Sequence, residues 1–95
     1  MREFLVEITT AFPGLPESEV DALRALEAAR AAELAASGNL VRLWRPTGEK
    51  RSVGIWSATD EDDLRDTVLG SLPFRPYMTA IAVTALDPHP NDPGR

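Results

Sequence analysis

Residues 40–57 read LVRLWRPTGEKRSVGIWS and show the pattern of two strands joined by a turn. Its two ends, residues 40–45 and 51–57, are rich in branched and aromatic side chains, which is typical of strands. The turn-forming segment TGEK at residues 47–50 separates them, so the pattern predicts a β-hairpin. The rest of the short chain supplies elements on both sides of that hairpin.

A strand and a helix are predicted before the hairpin. Residues 3–12 (EFLVEITTAF) alternate with period two, and a Pro-Gly-Leu-Pro stretch ends the strand. Residues 17–37 are rich in alanine and form one long helix, with Ser18 as the expected N-cap and Gly38 just beyond its end.

A second helix and a fourth strand are predicted after the hairpin. Thr59 or Asp60 caps the helix, which extends to about Ser71, and residues 79–86 (TAIAVTAL) form the strand. The order β-α-β-β-α-β predicts an α+β, ferredoxin-like fold, with a four-stranded antiparallel sheet and two helices on one face.

The domain organisation follows from this order. Residues 1–86 form a single ferredoxin-like domain, and residues 87–95 form a proline-rich C-terminal tail. Neither face of the predicted sheet is consistently polar, yet helices cover only one of them. We therefore expect another subunit to cover the second face, giving a homo-oligomer of the α+β-barrel type.

The composition excludes several classes of protein. The 95 residues carry 15 acids and 10 bases, a formal net charge of −5, and no basic stripe, so we expect no nucleic-acid partner. No apolar run approaches the roughly 20 residues of a membrane span, and the first residues do not resemble a signal peptide. Without cysteine, and with His89 as the single histidine, metal and thiolate chemistry are not expected. A cytoplasmic domain that binds no membrane is predicted.

Glu27 is the most unusual residue of the long helix. At 100° per residue, apolar side chains between Val20 and Leu34 form one stripe that should face the sheet, and Glu27 lies in its middle. Burial there would raise the pKa of the carboxyl group, as a proton-abstracting base requires. The alternative is a structural ion pair with Arg24 or Arg30, three residues away on each side.

Arg42, Trp44 and Arg45 lie close together on the second predicted strand. An arginine here could bind a substrate carboxylate through its planar guanidinium group. The alternative is a solvated edge strand whose arginines keep other chains away.

Three further side chains are candidates for a pocket. Trp56 and Tyr77 could line it, although such rings more often belong to the core. Glu7, on the strand face opposite Ile8, is either a second acid in a cleft or an exposed residue. The acidic run at residues 60–63 suits the first turn of a helix, so we expect no metal there.

Several segments together resemble one enzyme family. The motif LWR at residues 43–45 follows the helix that ends at residues 37–38. Residues 64–68 (LRDTV) and 72–78 (LPFRPYM) then precede the last strand and a His-Pro tail. Along nearly its whole length, the chain resembles muconolactone delta-isomerases.

The resemblance implies a ferredoxin-like fold that assembles into homo-oligomers, from a dimer up to a decamer, with active sites near subunit interfaces. It also implies an isomerase that uses no cofactor and moves a C=C bond within an unsaturated lactone. The reaction converts muconolactone to 3-oxoadipate enol-lactone in the β-ketoadipate pathway of aromatic degradation.

The resemblance also implies roles for individual residues. Glu27 matches the acid/base: as a carboxylate it removes a proton next to a carbonyl group, giving a dienolate, and returns it two carbons away. Arg45 matches the group that holds the substrate carboxylate or the enolate charge. Tyr77 matches the family pattern by its position. Independently of the resemblance, we expect Trp44, Trp56 and Tyr77 to shape a dry pocket that favours the raised pKa of Glu27.

The chain departs from the family pattern at four positions. Typical members carry histidine where this sequence has Leu5, Glu49 and Arg65, and an aromatic residue where it has Lys50. A related lactone or an enone is therefore an alternative substrate.

The fold also leaves other functions open. It hosts cyclases, cofactor-free oxygenases and small-ligand binding proteins of biosynthetic pathways, because fold alone does not assign function. A pure interaction protein is a third alternative, and it predicts that Glu27 is salt-bridged and ionised.

Overall fold

The computed structural model describes residues 1–94 and contains one antiparallel sheet with helical segments on one of its faces. In chain order, the strands and the long helix are β1 (Arg2–Thr10), α1 (Glu17–Ala36), β2 (Leu40–Trp44), β3 (Arg51–Ala58) and β4 (Met78–Leu86). Between β3 and β4 lie a π-helix (Asp63–Val68) and two 3₁₀ turns (Leu69–Ser71 and Arg75–Tyr77). The predicted ferredoxin-like architecture is confirmed.

The strand order is β2-β3-β1-β4, with β1 in the centre and β2 at one edge. In β1, Phe4, Val6 and Ile8 are buried and face the helical layer, as the period-two pattern predicts. Opposite Phe4 on β3 stands Trp56, and opposite Val6 stands Gly54. This register places the second half of the hairpin directly beside the central strand.

Helix α1 begins one residue after Pro16, which occupies the N-cap position and makes no side-chain capping bond. The expected cap, Ser18, instead lies inside the first turn. A proline suits this place because its extended φ and ψ lead the chain into the helix. At the other end, Gly38 adopts φ +86° and Asn39 N–H donates to the Leu34 carbonyl at 2.9 Å, which forms a Schellman motif.

The second helix differs from the regular helix that the sequence predicts. Its main part is the π-helix, whose wider turn allows Leu64, Val68 and Leu69 all to be buried. Asp60 caps this helix as expected, because its Oδ1 accepts a hydrogen bond from the backbone N–H of Asp63 at 2.7 Å. Asp63 in turn accepts the N–H of Thr59, and this bond lowers the pKa of its carboxyl group.

Helix α1 contacts the rest of the core mainly near its two ends. Val20 and Leu34 are its buried residues, whereas Leu23 and Ala31 are half-buried. The middle of the helix therefore stands away from the sheet. A space remains between them, and Glu27 lies beside it.

The second face of the sheet is uncovered in the single chain. Leu5 of β1 is flanked there by Ile55 of β3 and Thr84 of β4. On the edge strand, Trp44 remains 46% exposed and the Arg42 guanidinium stacks over its ring at 4.7 Å. We refer to this surface as the open face. Within residues 1–94, none of the helices is both long enough and apolar enough to cross a membrane.

Candidate active site

A cavity lies between the middle of α1 and the helix-facing side of the sheet. Its volume is about 300 Å³, which is at the lower end of the usual range for small-molecule sites, roughly 300–1,000 Å³. The apolar part of its wall is formed by Ile8, Ala28, Leu40, Leu43, Leu72 and Met78. The charged residues at the cavity are Arg24, Glu27, Arg45, Lys50 and Arg51.

Glu27 enters this cavity from α1, at the position that the helical stripe predicts. Its Oε1 accepts the backbone N–H of Phe74 at 2.9 Å. Desolvation by burial raises the pKa of its carboxyl group, and the hydrogen bond from Phe74 partly opposes this by stabilising the charged form. The result is a fixed carboxyl group that holds a proton more strongly than an exposed glutamate does.

The neighbouring arginines of α1 pair elsewhere. Arg24 donates to Asp21 at 3.0 Å. Arg30 lies 3.7 Å from a carboxylate oxygen of Glu33 and donates through Nε to the Ser71 hydroxyl at 3.0 Å. Among residues 1–94, Glu27 forms no ion pair. The alternative of a structural ion pair is therefore wrong, and so is the salt-bridged glutamate that an interaction protein predicts.

Arg45 and Lys50 reach the cavity from the two sides of the β2–β3 turn. Arg45 continues the alternation of β2 beyond Leu43, which lies opposite Gly54 on the helix-facing side. Neither cation has an acidic partner among the described residues. The cavity thus combines one proton-binding carboxyl group with two cations that are free to bind an anion.

Trp56 forms the floor of the cavity and is only 3% exposed. Its indole Nε1 is buried and makes no hydrogen bond within residues 1–94. The ring lies against Gly54, where an added Cβ would stand 2.9 Å from Nε1 and 2.9 Å from the Arg42 carbonyl oxygen. Glycine at this position therefore leaves the space that the indole ring occupies.

The structure separates the other predicted site residues from this cavity in a single chain. Trp44 lies on the open face beside Arg42. Glu7 points to the same face and accepts a hydrogen bond from Arg51 at 3.0 Å. Tyr77 packs on Phe12, with ring centroids 5.2 Å apart. Their roles in binding remain predictions.

Two features of the cavity were not identified from the sequence as parts of a site. In the sequence, Lys50 stands out only as a departure from the family pattern. Alternate residues of a strand share one face, so strand periodicity could have placed Lys50 on the same helix-facing side as Ser52 and Trp56. The backbone N–H of Phe74 carries no side-chain signal and could not have been found in this way.

The arrangement is suited to moving a proton on an anionic ligand. A half-buried carboxylate can accept and return a proton, because its pKa is raised towards neutrality. Arg45 can hold a ligand carboxylate, and the apolar side chains of the wall can contact the nonpolar part of such a ligand.

Comparison with known proteins gives one consistent result. The family model described as muconolactone delta-isomerase matches residues 2–92. The muconolactone delta-isomerase of Acinetobacter baylyi is 32% identical, over 93% of this chain and 91% of that protein. The enzyme of the same name from Cupriavidus pinatubonensis is 35% identical, over 93% of this chain and 95% of that protein.

A solved structure agrees with these relatives. The crystal structure of a muconolactone isomerase superposes with a TM-score of 0.80 at 29% sequence identity. The match covers 94% of this chain and 92% of the crystallised chain.

Proposed function

The chain belongs to the muconolactone delta-isomerase family, and we propose that it is an isomerase acting on muconolactone. The reaction converts muconolactone to 3-oxoadipate enol-lactone by moving one proton and one C=C bond within the lactone ring. A closely related lactone or enone is the alternative substrate, because of the departures at Leu5, Glu49, Lys50 and Arg65.

The proton transfer is a two-step process on one carboxylate. In muconolactone, the acidic C–H belongs to the ring carbon that bears the carboxymethyl group, which is conjugated to the carbonyl through the C=C bond. Glu27 removes this proton, and the electron pair moves through the ring to the carbonyl oxygen as a dienolate. Glu27 then returns the proton to the carbon next to the carbonyl, two carbons away. The proton therefore leaves the carbon remote from the carbonyl and returns next to it, which is the reverse of the order expected from the sequence.

The observation that carries this proposal is the environment of Glu27. The carboxyl group lies half-buried in the cavity, without an ion pair among residues 1–94, and the Phe74 N–H fixes one of its oxygens. Burial raises its pKa, so the carboxylate is a stronger base than an exposed glutamate.

The remaining predicted residues have supporting roles in this proposal. Arg45 binds the substrate carboxylate from the end of β2. Trp56 lines the cavity with a buried aromatic ring. Trp44, Tyr77 and Glu7 lie outside the cavity of a single chain. They would contribute to substrate binding at the site of a neighbouring subunit, or indirectly by supporting the segments that line the cavity. No cofactor takes part in the reaction.

We also propose that the protein works as a homo-oligomer in the cytoplasm. The open face supports the assembly, because Leu5, Ile55 and the half-exposed Trp44 are left there without a covering layer in the single chain. A second copy of the sheet or of its edge would bury these side chains.

The proposed activity is tested by incubating the protein with muconolactone and following the ring protons by NMR. We expect conversion to the enol-lactone by the wild-type protein and a loss of conversion in Glu27→Gln. Equal conversion by both proteins would contradict the role of Glu27, and no conversion by the wild type would contradict muconolactone as the substrate.

A further inference from the structure

Four cations line the cavity, and two of them, Arg45 and Lys50, have no acidic partner among residues 1–94. Most arginines of the described residues have an acidic partner, such as Arg24 with Asp21 and Arg65 with Glu61. Arg45 and Lys50 line the cavity and have none among residues 1–94. In a chain of net charge −5, two free cations beside one small cavity indicate a ligand with matching negative charge.

The neighbours of Lys50 do not neutralise it. Glu49 binds Arg51, whose Nε lies 3.1 Å from Oε1 of Glu49. The same guanidinium also donates to Glu7 at 3.0 Å, on the open face. Lys50 is two residues before Ser52 and therefore points to the same side of the sheet. Ser52 lies opposite Ile8 and also lines the cavity. Its ammonium group is therefore available to the cavity, and its flexible stem allows it to follow a ligand atom.

Charge balance distinguishes the roles of the two cations. Before the reaction, the anions at the site are the Glu27 carboxylate and the substrate carboxylate. After proton removal, Glu27 is neutral and the negative charge has moved to the lactone oxygen. The two negative charges and the two unpaired cations are present at both stages, but one negative charge has moved from the protein to the ligand. Only a cation that faces the lactone oxygen gains interaction energy in this step.

We propose that Lys50 donates a hydrogen bond to the lactone carbonyl oxygen and stabilises the dienolate, while Arg45 holds the substrate carboxylate. This inference rests on the proposed isomerase function. When the ring C–H bond breaks, the proton goes to Glu27 and the electron pair goes to the oxygen that Lys50 contacts. When the carbonyl re-forms, the pair returns to the ring and the carbon next to the carbonyl takes the proton back from Glu27. Lys50 donates this hydrogen bond without transferring a proton.

The position of the donor determines which kinetic constant Lys50 changes. Apolar side chains, including Leu40, Leu43 and Met78, line the cavity beside the charged groups. A donor that faces a developing oxyanion lowers the barrier rather than tightening ground-state binding. Lys50 therefore affects kcat, whereas Arg45 affects KM.

The test compares Lys50→Met, Lys50→Arg and Arg45→Met by steady-state kinetics with muconolactone. For Lys50→Met we expect kcat to fall about 10²- to 10³-fold, as for the loss of one oxyanion donor, with KM changed less than about threefold. Lys50→Arg keeps the cation and should recover part of kcat. Arg45→Met should mainly raise KM. Thermal unfolding should show all three variants folded, since both positions are exposed.

A binding measurement provides a second readout that does not depend on turnover. A carboxymethyl tetronate is a stable cyclic enolate with a carboxylate, and so it imitates the dianionic intermediate. Calorimetry should show that Lys50→Met loses at least tenfold more affinity for this dianion than for the saturated monoanionic lactone acid.

The outcomes separate the inference from the function on which it rests. If the wild type converts muconolactone and Lys50→Met has an unchanged kcat, or differs only in KM, the proposed role of Lys50 is wrong and the isomerase function stands. A wild-type protein that neither converts muconolactone nor binds the tetronate would overturn both.

Discussion

The backbone N–H of Phe74 donates a hydrogen bond of 2.9 Å to Oε1 of Glu27, across 47 positions of the chain. This bond ties the segment before β4 to the middle of α1, where the helix stands away from the sheet. It orients one carboxylate oxygen and leaves the other for a ligand. The same contact opposes, without cancelling, the rise in the pKa of Glu27 that burial causes.

Glu27→Gln should remove activity without unfolding the protein. The glutamine carbonyl can still accept the Phe74 N–H, but an amide cannot take a proton from carbon. We expect kcat to fall by about 10²- to 10⁴-fold, the usual contribution of a general base. Glu27→Asp, which keeps the carboxylate but withdraws it by one methylene group, should retain more activity than Glu27→Gln. A Glu27→Gln variant with wild-type kcat would exclude Glu27 as the base.

The pH dependence of the rate should show the raised pKa of Glu27 directly. Because the base must be ionised, kcat/KM should fall as the pH drops through the pKa of Glu27 in the folded protein. That midpoint should lie above the ordinary value of 4.5. A rate that stays constant down to pH 4.5 would contradict a desolvated base.

The stability of the fold should also depend on the ionisation of Glu27, but in the opposite direction. Activity requires the ionised carboxylate, whereas the folded state favours the protonated carboxyl group. The folded protein holds the Glu27 proton more strongly than the unfolded chain does, so ionisation of Glu27 costs stability as the pH rises from 4.5 through its folded pKa. Above this window, Glu27→Gln should be at least as stable as the wild type. Below pH 4.5 the two proteins should have nearly equal free energies of unfolding. Chemical denaturation at pH 4 and pH 7 measures both differences.

Arg45→Met should weaken substrate binding. A hydrogen-bonded ion pair with a ligand contributes about 1.5–3 kcal/mol, so we expect KM to rise roughly 10- to 100-fold. The matched control is Arg2→Met, which removes an exposed arginine paired with Asp87 at 3.4 Å, away from the cavity. Similar effects of both substitutions would indicate that long-range charge, not a direct contact, governs binding.

Gly54→Ala should destabilise the fold. The added Cβ would lie 2.9 Å from both the Arg42 carbonyl oxygen and the Trp56 indole nitrogen. Overpacking of this kind costs about 1–3 kcal/mol in the free energy of unfolding, which urea titration can measure. Gly70→Ala is the control, since its nearest neighbour, the Arg65 carbonyl oxygen, would be at an ordinary 3.5 Å. A neutral Gly54→Ala would mean that the indole ring can shift freely.

The open face should determine the assembly state. Ala80 lies on this face opposite Thr9, and Ala80→Arg would place a long charged side chain there. We expect light scattering to give a mass several times 10.4 kDa for the wild type and a smaller mass for Ala80→Arg. Ala25→Arg, on the exposed side of α1, should leave the mass unchanged. A monomeric wild type would contradict the proposed oligomer.

The strands, the hairpin and the position of Glu27 could be predicted from the sequence because each rests on a local periodicity. The alternation around Phe4 and Val6 assigned the faces of β1, and the 100° spacing placed Glu27 among apolar neighbours. The resemblance to the isomerase family was confirmed by the family model and by the relatives.

The rest depends on contacts that leave no such pattern. A π-helix at Asp63–Val68 and a regular helix share nearly the same apolar spacing, so the sequence alone predicts the commoner form. The Phe74 N–H belongs to the backbone of an irregular segment, and only the folded chain brings it to Glu27. Trp44 illustrates the reverse case, because its aromatic ring suggests a pocket whereas the edge strand turns it to the open face.

The most direct test of the central claim is proton NMR of muconolactone in deuterated buffer with the wild type, Glu27→Asp and Glu27→Gln. The wild type should form the enol-lactone and introduce deuterium at the carbon next to the carbonyl, Glu27→Asp should do so more slowly, and Glu27→Gln should do neither. Deuterium uptake and conversion in Glu27→Gln at the wild-type rate would show that another group moves the proton.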